Sequence, residues 1–380
     1  MKEISDIRYE YIKDTKKIVI KIGTGVITDN AGYLDNKQIK GLAEQVIELK
    51  RRNFNVTVVS SGAIGCGMGE LGLQKRPGTL PELQAVASIG QSKLISTYDS
   101  FFKSHGYHAA QILFTREDFE NRKRYLNTCN TIHTLFRMNA IPVVNENDTI
   151  STDEIAFGDN DELSALVTNL IDADLLVILS SVDGLYDKQP EGESRAHVIP
   201  VVEHITHKTK QMAYNSKTLR GVGGMRTKLE AASIVTNAGE KVIIANGRHE
   251  NVLLKIFQYE DIGTLFLPKN EKLTSRKRWI GYSKKSKGVV FVDEGACSAL
   301  SKKGKSLLAS GIVSIEGGFE KGDIVSICKG ENDGVFARGL TNYSSEEIEK
   351  IKGCRASSIH KILGYKSYDE VIHRDNLVLI

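Results

Sequence analysis

Acidic and amide side chains are concentrated between residues 145 and 162, in NENDTIS and FGDNDE. An apolar run, IPVV (141–144), precedes this cluster, and a run with helical spacing, LSALVTNL (163–170), follows it. Amides can donate hydrogen bonds to a carboxylate, whereas acids can accept from an ammonium or orient lysines and Mg²⁺. The cluster therefore suits a ligand with both charges, such as an amino acid. The simpler alternative is a helix start, because Asp159 and Glu162 have capping-box spacing.

Two glycine-rich segments follow strand-like runs nearer the N-terminus. In VIKIGTG (19–25), Lys21 stands near the end of an apolar run, where a buried ammonium would need an anionic partner. The glycines after it could turn backbone N–H groups toward a phosphate. In VVSSGAIGCGMG (58–69), hydroxyls and N–H groups before a helix suit a carboxylate or a phosphate. A lysine that reaches solvent and a glycine turn capped by serine are the alternatives.

A third glycine-rich segment, GVGGMRTKLEAA (221–232), opens a helical run whose first turns hold Thr227 and Lys228. Such a loop gathers N–H donors at the positive end of the helix dipole, and Lys228 adds a full charge there. The order of residues differs from GxxxxGK[ST], so this would be a phosphate cradle of another kind. The alternative is an exposed loop with a solvated lysine.

Histidine and metal-ligand patterns are weak. His204 and His207 are three residues apart with no further ligand nearby, which indicates surface residues rather than a metal site. The acids of residues 145–162 lack the spacing of an EF-hand loop. None of the nine histidines lies in the four segments, so their chemistry would proceed without a histidine base.

The elements that must position these residues follow from hydrophobic patterns. Short apolar runs without alternation predict strands at 16–22, 55–61, 107–114, 140–145, 174–181 and 241–246. Helical spacing predicts helices at 36–52, 81–103, 121–138 and 162–171. This pattern is typical of an α/β sandwich around a parallel sheet covered on both faces. Ligands of such sheets bind beyond the carboxyl ends of the strands, where most of the polar segments fall.

The pattern changes after Pro268. Residues 269–287 carry eight Lys or Arg and one Glu, which indicates a basic linker or the start of a new unit. Residues 288–380 contain short β-rich runs separated by glycine turns, which favours a small β barrel. The expected domains are therefore 1–268, a linker at 269–287, and 288–380.

Composition restricts the class of protein. A chain of 380 residues exceeds one ordinary domain, and a net charge of +4 does not indicate bulk binding to nucleic acid or membrane. Five scattered cysteines without a CxxC pair favour a reduced, intracellular protein. The N-terminus is charged and no apolar run approaches the roughly 18 residues of a membrane helix, so we expect a cytoplasmic protein without a membrane partner.

In this order the segments resemble the amino acid kinase family, in particular its members that act on glutamate. The resemblance covers nearly the whole chain and rests on VIKIGTGVIT, VVSSGAIGCG, ASIGQSKL (87–94), PVVNENDTIS, FGDNDELSALV, GLYD (184–187) and GVGGMRTK. The C-terminal SLLASGIVSIEGGFEKGDIVSI and RGLTNYSS resemble a PUA domain. The family's fold is a three-layer sandwich around a mainly parallel sheet.

The resemblance implies transfer of the γ-phosphoryl group of ATP, with Mg²⁺, to the side-chain carboxylate of glutamate, the first step of proline synthesis. By motif match, Lys21 and Lys228 would neutralise the transferring phosphoryl group, and Asp161 would hold both lysines. Ser61, Asp148 and Asn160 would bind glutamate. The ATP contacts would come from Lys21, Ser180, Ser181, Val222, Gly223, Gly224, Met225, Arg226, Thr227 and Lys228.

One position departs from the family pattern: many relatives have Thr-Asp or Ser-Asp where this chain has Ser180-Ser181, which puts the nucleotide preference in question. Related kinases of acetylglutamate, aspartate, carbamate or UMP are the nearest alternatives. The resemblance also implies a homodimer or homotetramer and proline as a feedback inhibitor. PUA domains of RNA-modifying enzymes bind RNA, so RNA is a further expected partner.

Overall fold

A computed structural model describes residues 3–29, 32–151, 160–188, 196–214, 224–269, 271–283, 286–330 and 333–380. The chain forms two compact units, Met1–Lys272 and Leu273–Ile380. Across these described ranges, every helix is too short or too polar to cross a membrane.

The first unit alternates strands and helices. Its elements in chain order are α1 (Ile4–Ile12), β1 (Lys17–Ile22), α2 (Thr24–Ile27), α3 (Asn36–Arg51), β2 (Asn55–Ser60), α4 (Ala63–Leu71), α5 (Leu80–Lys103), β3 (Ala109–Phe114), α6 (Arg116–Glu120), α7 (Arg122–Arg137), β4 (Ile141–Glu146), α8 (Asn160–Ile171), β5 (Leu175–Ser180), β6 (Val201–Val202), α9 (His207–Tyr214), α10 (Met225–Asn237), β7 (Lys241–Asn246), α11 (Val252–Ile256) and β8 (Thr264–Phe266).

Within the described residues, eight strands form one sheet in the order β3-β4-β2-β1-β5-β7-β8-β6. The pairs from β3 to β7 are all parallel, and β8 runs antiparallel to β7. Parallel strands buried on both faces require continuous apolar runs, which is the pattern of β1, β2, β4, β5 and β7. The predicted α/β fold with a mainly parallel sheet is confirmed.

Helices cover both faces of this sheet. Ile18, Ile20 and Ile22 of β1 lie in one apolar core with buried side chains of α3, α5 and α11. Val19 and Lys21 project to the opposite face because side chains alternate along a strand, and α8 covers that face. The central strand therefore carries its lysine directly toward α8.

Glycines allow α4 and α5 to cross at close range. A Cβ atom on Gly90 would lie 1.8 Å from the Ala63 carbonyl oxygen, and one on Gly67 would lie 1.9 Å from the Val86 carbonyl oxygen. Real Cβ atoms do not approach backbone this closely, so any larger residue would force the helices apart. The crossing fixes α5 against the start of α4, which follows β2.

The second unit contains α12 (Ser275–Arg278), a π-helical turn (Trp279–Ser283), β9 (Gly288–Val292), α13 (Glu294–Lys303), β10 (Ile312–Glu316), β11 (Ile324–Cys328), β12 (Val335–Leu340), α14 (Ser345–Ile351), α15 (Ile359–Leu363) and β13 (Leu377–Leu379). Its strands pair in the order β10-β9-β11-β12-β13 around a separate apolar core. The basic stretch 269–287 thus includes helical residues of this unit, among them the buried Trp279 and Ile280.

Candidate active site

The polar segments meet at the carboxyl edge of the sheet. Because β4, β2, β1, β5 and β7 are adjacent and parallel, the residues that follow them lie side by side. Gly23, directly after β1, donates its backbone N–H to the Leu179 carbonyl oxygen of β5 at 3.0 Å. Ser181, just beyond β5, lies close to Gly25. This edge gathers hydroxyl, amide and ammonium groups from distant parts of the chain.

Two lysines share one buried carboxylate at this edge. The Lys21 Nζ lies 2.6 Å from Asp161 Oδ1, and the Lys228 Nζ lies 3.0 Å from Asp161 Oδ2. The side chain of Asp161 is 0% exposed, and those of the lysines are 3% and 6% exposed. Thr227 also donates its hydroxyl to Asp161 Oδ2 at 2.8 Å. Asp161 is therefore the anionic partner that the sequence required for Lys21.

The charges of this cluster do not cancel. Lys21 and Lys228 carry two positive charges and Asp161 carries one negative charge, so the three side chains have a net charge of +1. Two ammonium groups that converge on one carboxylate favour a further anion beside them. Lys228 lies in the first turn of α10, whose dipole adds positive potential at the same end. The arrangement is suited to stabilising an anionic group such as a phosphoryl.

A second polar group lies beside β2. Asn160, the first residue of α8, donates its Nδ2 to the Ser60 carbonyl oxygen at 2.7 Å and lies 3.1 Å from the Ser61 hydroxyl. The same Nδ2 lies 2.8 Å from the Oδ1 of Asn145, at the end of β4. Because Asp161 follows Asn160 directly in α8, this amide group adjoins the lysine cluster.

Asp148 lies in the turn after β4 and is half-buried. Burial, with a further contribution from Glu146, raises the pKa of Asp148 to about 6, which Arg76 partly opposes. Its charge therefore depends on pH near neutrality. A cation placed beside this carboxylate would favour its ionised form.

The residues expected to contact ATP are only partly described. Val222 and Gly223 lie outside the described residues, as does Asp159 of the expected capping box. Met225 is buried, and the Arg226 Nε lies 2.9 Å from Glu230 Oε1 on the exposed side of α10. Their proposed nucleotide contacts stay predictions.

Ser180 and Ser181 lie at the end of β5, where the Gly247 N–H bonds to the Ser180 carbonyl oxygen. A carboxylate lies two residues further on: Asp183 accepts hydrogen bonds from Asn246 and Tyr186, and these bonds, the Asn246 bond foremost, lower its pKa. Glu162, the other half of the expected capping box, pairs instead with Arg116 at 2.6 Å.

From the sequence, Asn145 belonged to the polar cluster and Gln91 to the ASIGQSKL motif, but neither had a predicted role. Asn145 is 2% exposed and donates its Nδ2 to Gln91 Oε1, which lies on α5. The helical spacing could have indicated Gln91 as a site residue. It lies with Ala87 and Leu94 on the buried face of α5, where a polar side chain needs a hydrogen-bond partner.

Two domain families match this chain. Residues 16–246 match the model of the amino acid kinase family, and residues 288–363 match that of the PUA domain. The chain therefore belongs to the amino acid kinase family.

Within this family, the chain is similar to glutamate 5-kinases. A glutamate 5-kinase of Thermoanaerobacter pseudethanolicus is 49% identical over 364 residues, which cover 96% of this chain and 98% of that protein. One of Caldanaerobacter subterraneus is 50% identical over 364 residues, with the same two coverages of 96% and 98%. One of Geobacter sulfurreducens is 46% identical over 369 residues, 97% of this chain and 99% of that protein. The family resemblance seen in the motifs is confirmed.

Proposed function

We propose that this protein transfers the γ-phosphoryl group of ATP to the side-chain carboxylate of L-glutamate. The product is L-glutamyl 5-phosphate, and the reaction is the first step of proline biosynthesis. The observation that carries the proposal is the buried Asp161 carboxylate with Lys21 and Lys228 on its two oxygens. The names and near-full coverage of the glutamate 5-kinases described above support glutamate as the substrate.

The chemistry needs alignment and charge stabilisation rather than a base. A glutamate side chain has a pKa of about 4.3, so the attacking carboxylate is already ionised at pH 7. Lys21 and Lys228 stabilise the charge that is spread over the transferring phosphoryl oxygens. Asp161 positions both ammonium groups, and its single negative charge leaves the cluster attractive to an anion.

The remaining site residues bind the two substrates, glutamate and ATP. Ser61, Asp148 and Asn160 bind glutamate, with Asp148 facing the α-ammonium group. The ATP phosphates lie against the start of α10 and its preceding loop, and Ser180 and Ser181 contact the nucleotide. Backbone N–H groups at a helix start are good phosphate ligands, which supports this orientation.

Mg²⁺ would be brought to this site by the ATP phosphates. Among the side chains that the structure describes, no three His, Cys, Asp or Glu residues cluster as a cation site. In nucleotide enzymes Mg²⁺ keeps several waters and is held largely by phosphate oxygens. The ion would neutralise phosphate charge, and we assign no side chain of this chain to it.

A substrate panel tests the proposal. ADP formation is measured with ATP and Mg²⁺ against glutamate, aspartate, acetylglutamate, carbamate and UMP. Turnover with glutamate well above the others is expected. Preference for any other acceptor would assign the chain to a different kinase of the family.

Two further expectations are tested on the same sample. Proline added to the assay tests feedback inhibition, and light scattering tests the expected dimer or tetramer.

RNA binding by the second unit is a second candidate. A cavity of about 680 Å³ in this unit is lined by Lys305, His373 and Arg374 among other residues. Lys305 and Arg374 could contact phosphates, although Asp293 also lines this cavity, and such binding would weaken steeply with salt. Fluorescence anisotropy with single-stranded and hairpin RNAs at two salt concentrations tests this role.

A further inference from the structure

Gln91 ends a chain of buried amides that begins at the proposed glutamate site. Asn160 donates its Nδ2 to Asn145 Oδ1 at 2.8 Å, and Asn145 donates its Nδ2 to Gln91 Oε1 at 2.8 Å. The three residues are 9%, 2% and 9% exposed, respectively. Buried amides need partners for both ends, so the orientation of each depends on its neighbour.

Two backbone groups fix the direction of this chain. The Ser60 carbonyl oxygen can only accept, so the Asn160 Nδ2 must face it, at 2.7 Å. The Glu146 N–H can only donate, so the Asn145 Oδ1 must face it, at 2.9 Å. The Asn145 Nδ2 then points to Gln91, whose Oε1 is the acceptor.

The direction decides which atom Asn160 offers to a ligand. Its Nδ2 is committed to protein acceptors, whereas no described residue donates a hydrogen bond to its Oδ1. Asn160 therefore presents an acceptor, which suits an ammonium group and not a carboxylate. A flip of Asn145 would present a donor to the Asn160 Nδ2 and break this arrangement.

The backbone beside Gln91 packs closely against α4. Gln91 follows Gly90, where an added Cβ would lie 1.8 Å from the Ala63 carbonyl oxygen and 2.4 Å from the Gly67 nitrogen. Ala63 begins α4, two residues after Ser61. The same helix crossing thus fixes the backbone at Gln91 relative to the segment that carries Ser61, and the hydrogen bond from Asn145 holds the Gln91 Oε1.

We propose that Gln91 is a positioning residue for recognition of the substrate's amino group. It accepts from Asn145, which holds the Asn160 amide with its oxygen toward the α-ammonium group of glutamate. Gln91 itself does not touch the reacting atoms. This inference rests on the proposed function, because it assigns glutamate to the Asn160 side of the site.

The test compares Gln91→Leu, Gln91→Glu and Gln45→Leu in the full-length protein. Leucine removes the acceptor, so the KM for glutamate should rise at least tenfold, with the KM for ATP and kcat within about twofold. Glutamate at position 91 keeps an acceptor oxygen and should recover most of the loss. Gln45 is a matched control, because it is also a buried glutamine, 7% exposed. Its Nε2 donates to the Gly41 carbonyl oxygen in α3, and its Oε1 accepts from the Leu253 N–H in α11.

Glutarate, which lacks the α-amino group, separates positioning from general damage. Wild type should prefer glutamate to glutarate, and Gln91→Leu should lose most of that preference, whereas Gln45→Leu should keep it while being less stable. If Gln91→Leu does not fold, Gln91→Asn is the substitute. Its side chain is one methylene shorter, so its amide oxygen no longer reaches Asn145, and the preference for glutamate over glutarate should fall by the same amount.

The outcomes are distinguishable. Wild type that turns over glutamate, with an unchanged KM and preference in the Gln91 variants, overturns the role of Gln91 alone. Equal rises in the KM for glutamate and for ATP make Gln91 a structural residue and also overturn it. Wild type that fails to turn over glutamate overturns the proposed function and this inference together.

Discussion

Lys21 and Asp161 form an ion pair of 2.6 Å between a central strand and the helix that covers it, and both side chains are almost fully buried. A buried ion pair gives little net stability, because desolvation offsets much of the attraction. Its value here lies in position: the carboxylate fixes an ammonium at the carboxyl edge of the sheet, and Lys228 is fixed by the other oxygen.

Replacing Lys228 by methionine should remove catalysis but not the fold. The change deletes positive charge that the transition state needs, so kcat should fall about 10²–10³-fold. Steady-state kinetics with ATP and glutamate measure this fall. Lys50→Met is the control, because Lys50 is also buried, at 7% exposed, but lies on α3 next to Tyr107. A Lys228→Met enzyme with normal kcat would remove Lys228 from the mechanism.

Asp161→Asn should destabilise the first unit. Removing the carboxylate leaves two buried ammonium groups without their shared partner, which costs about 3–5 kcal/mol. Urea unfolding at pH 7.5 measures the loss. Asp261→Asn is the comparison: Asp261 pairs with the buried Arg8, but that guanidinium also donates to backbone carbonyls, so the loss should stay below about 1 kcal/mol. Equal losses would contradict the special role of Asp161.

Glutamate recognition should weaken in acid with a midpoint set by Asp148. Its pKa of about 6 means that the carboxylate is protonated below this pH and no longer attracts an ammonium group. The kcat/KM for glutamate should therefore fall as pH decreases from 7.5 to 5.5. Asp148→Asn should have a low kcat/KM throughout and lack this transition. A transition that survives in Asp148→Asn would assign it to another group.

The same pKa has a consequence for stability. Because the folded pKa of Asp148 exceeds the ordinary value of 3.8, the folded state binds this proton more tightly than the unfolded state. The stability contributed by that proton is lost as pH rises through about 6. Asp148→Asn should accordingly raise Tm at pH 8 by more than at pH 5. An equal change at both pH values would contradict this pKa.

The melting temperature of a truncated first unit should depend on the residue at which the chain ends. Lys272 Nζ lies 2.7 Å from the buried Glu240 and 3.1 Å from Asp172. A chain that ends at Pro268 loses these contacts, so it should melt about 3–6 °C below one that ends at Lys272. Both should form ADP with glutamate, because every proposed site residue precedes Pro268. Lys272→Met in the full-length protein removes the ion pairs alone and should also lower Tm. Equal Tm values for the two truncated chains would show that these ion pairs do not stabilise the first unit.

The fold was largely predictable because buried parallel strands carry continuous apolar runs. The short strands β6 and β8 were not predicted, since two or three residues give no period to detect. At the site, the sequence required an anion near Lys21 but could not select Asp161 by spacing. The sequence predicted no role for Gln91, because its hydrogen bond with Asn145 exists only where the folded sheet brings β4 to α5.

The most direct test of the central claim is to trap the product. The protein is incubated with ATP, Mg²⁺, glutamate and hydroxylamine, and the hydroxamate is identified by mass spectrometry. An acyl phosphate on the side-chain carboxylate predicts the γ-hydroxamate in amounts equal to the ADP formed. ADP without hydroxamate, or hydroxamate on the α-carboxylate, would contradict phosphoryl transfer to the glutamate side chain.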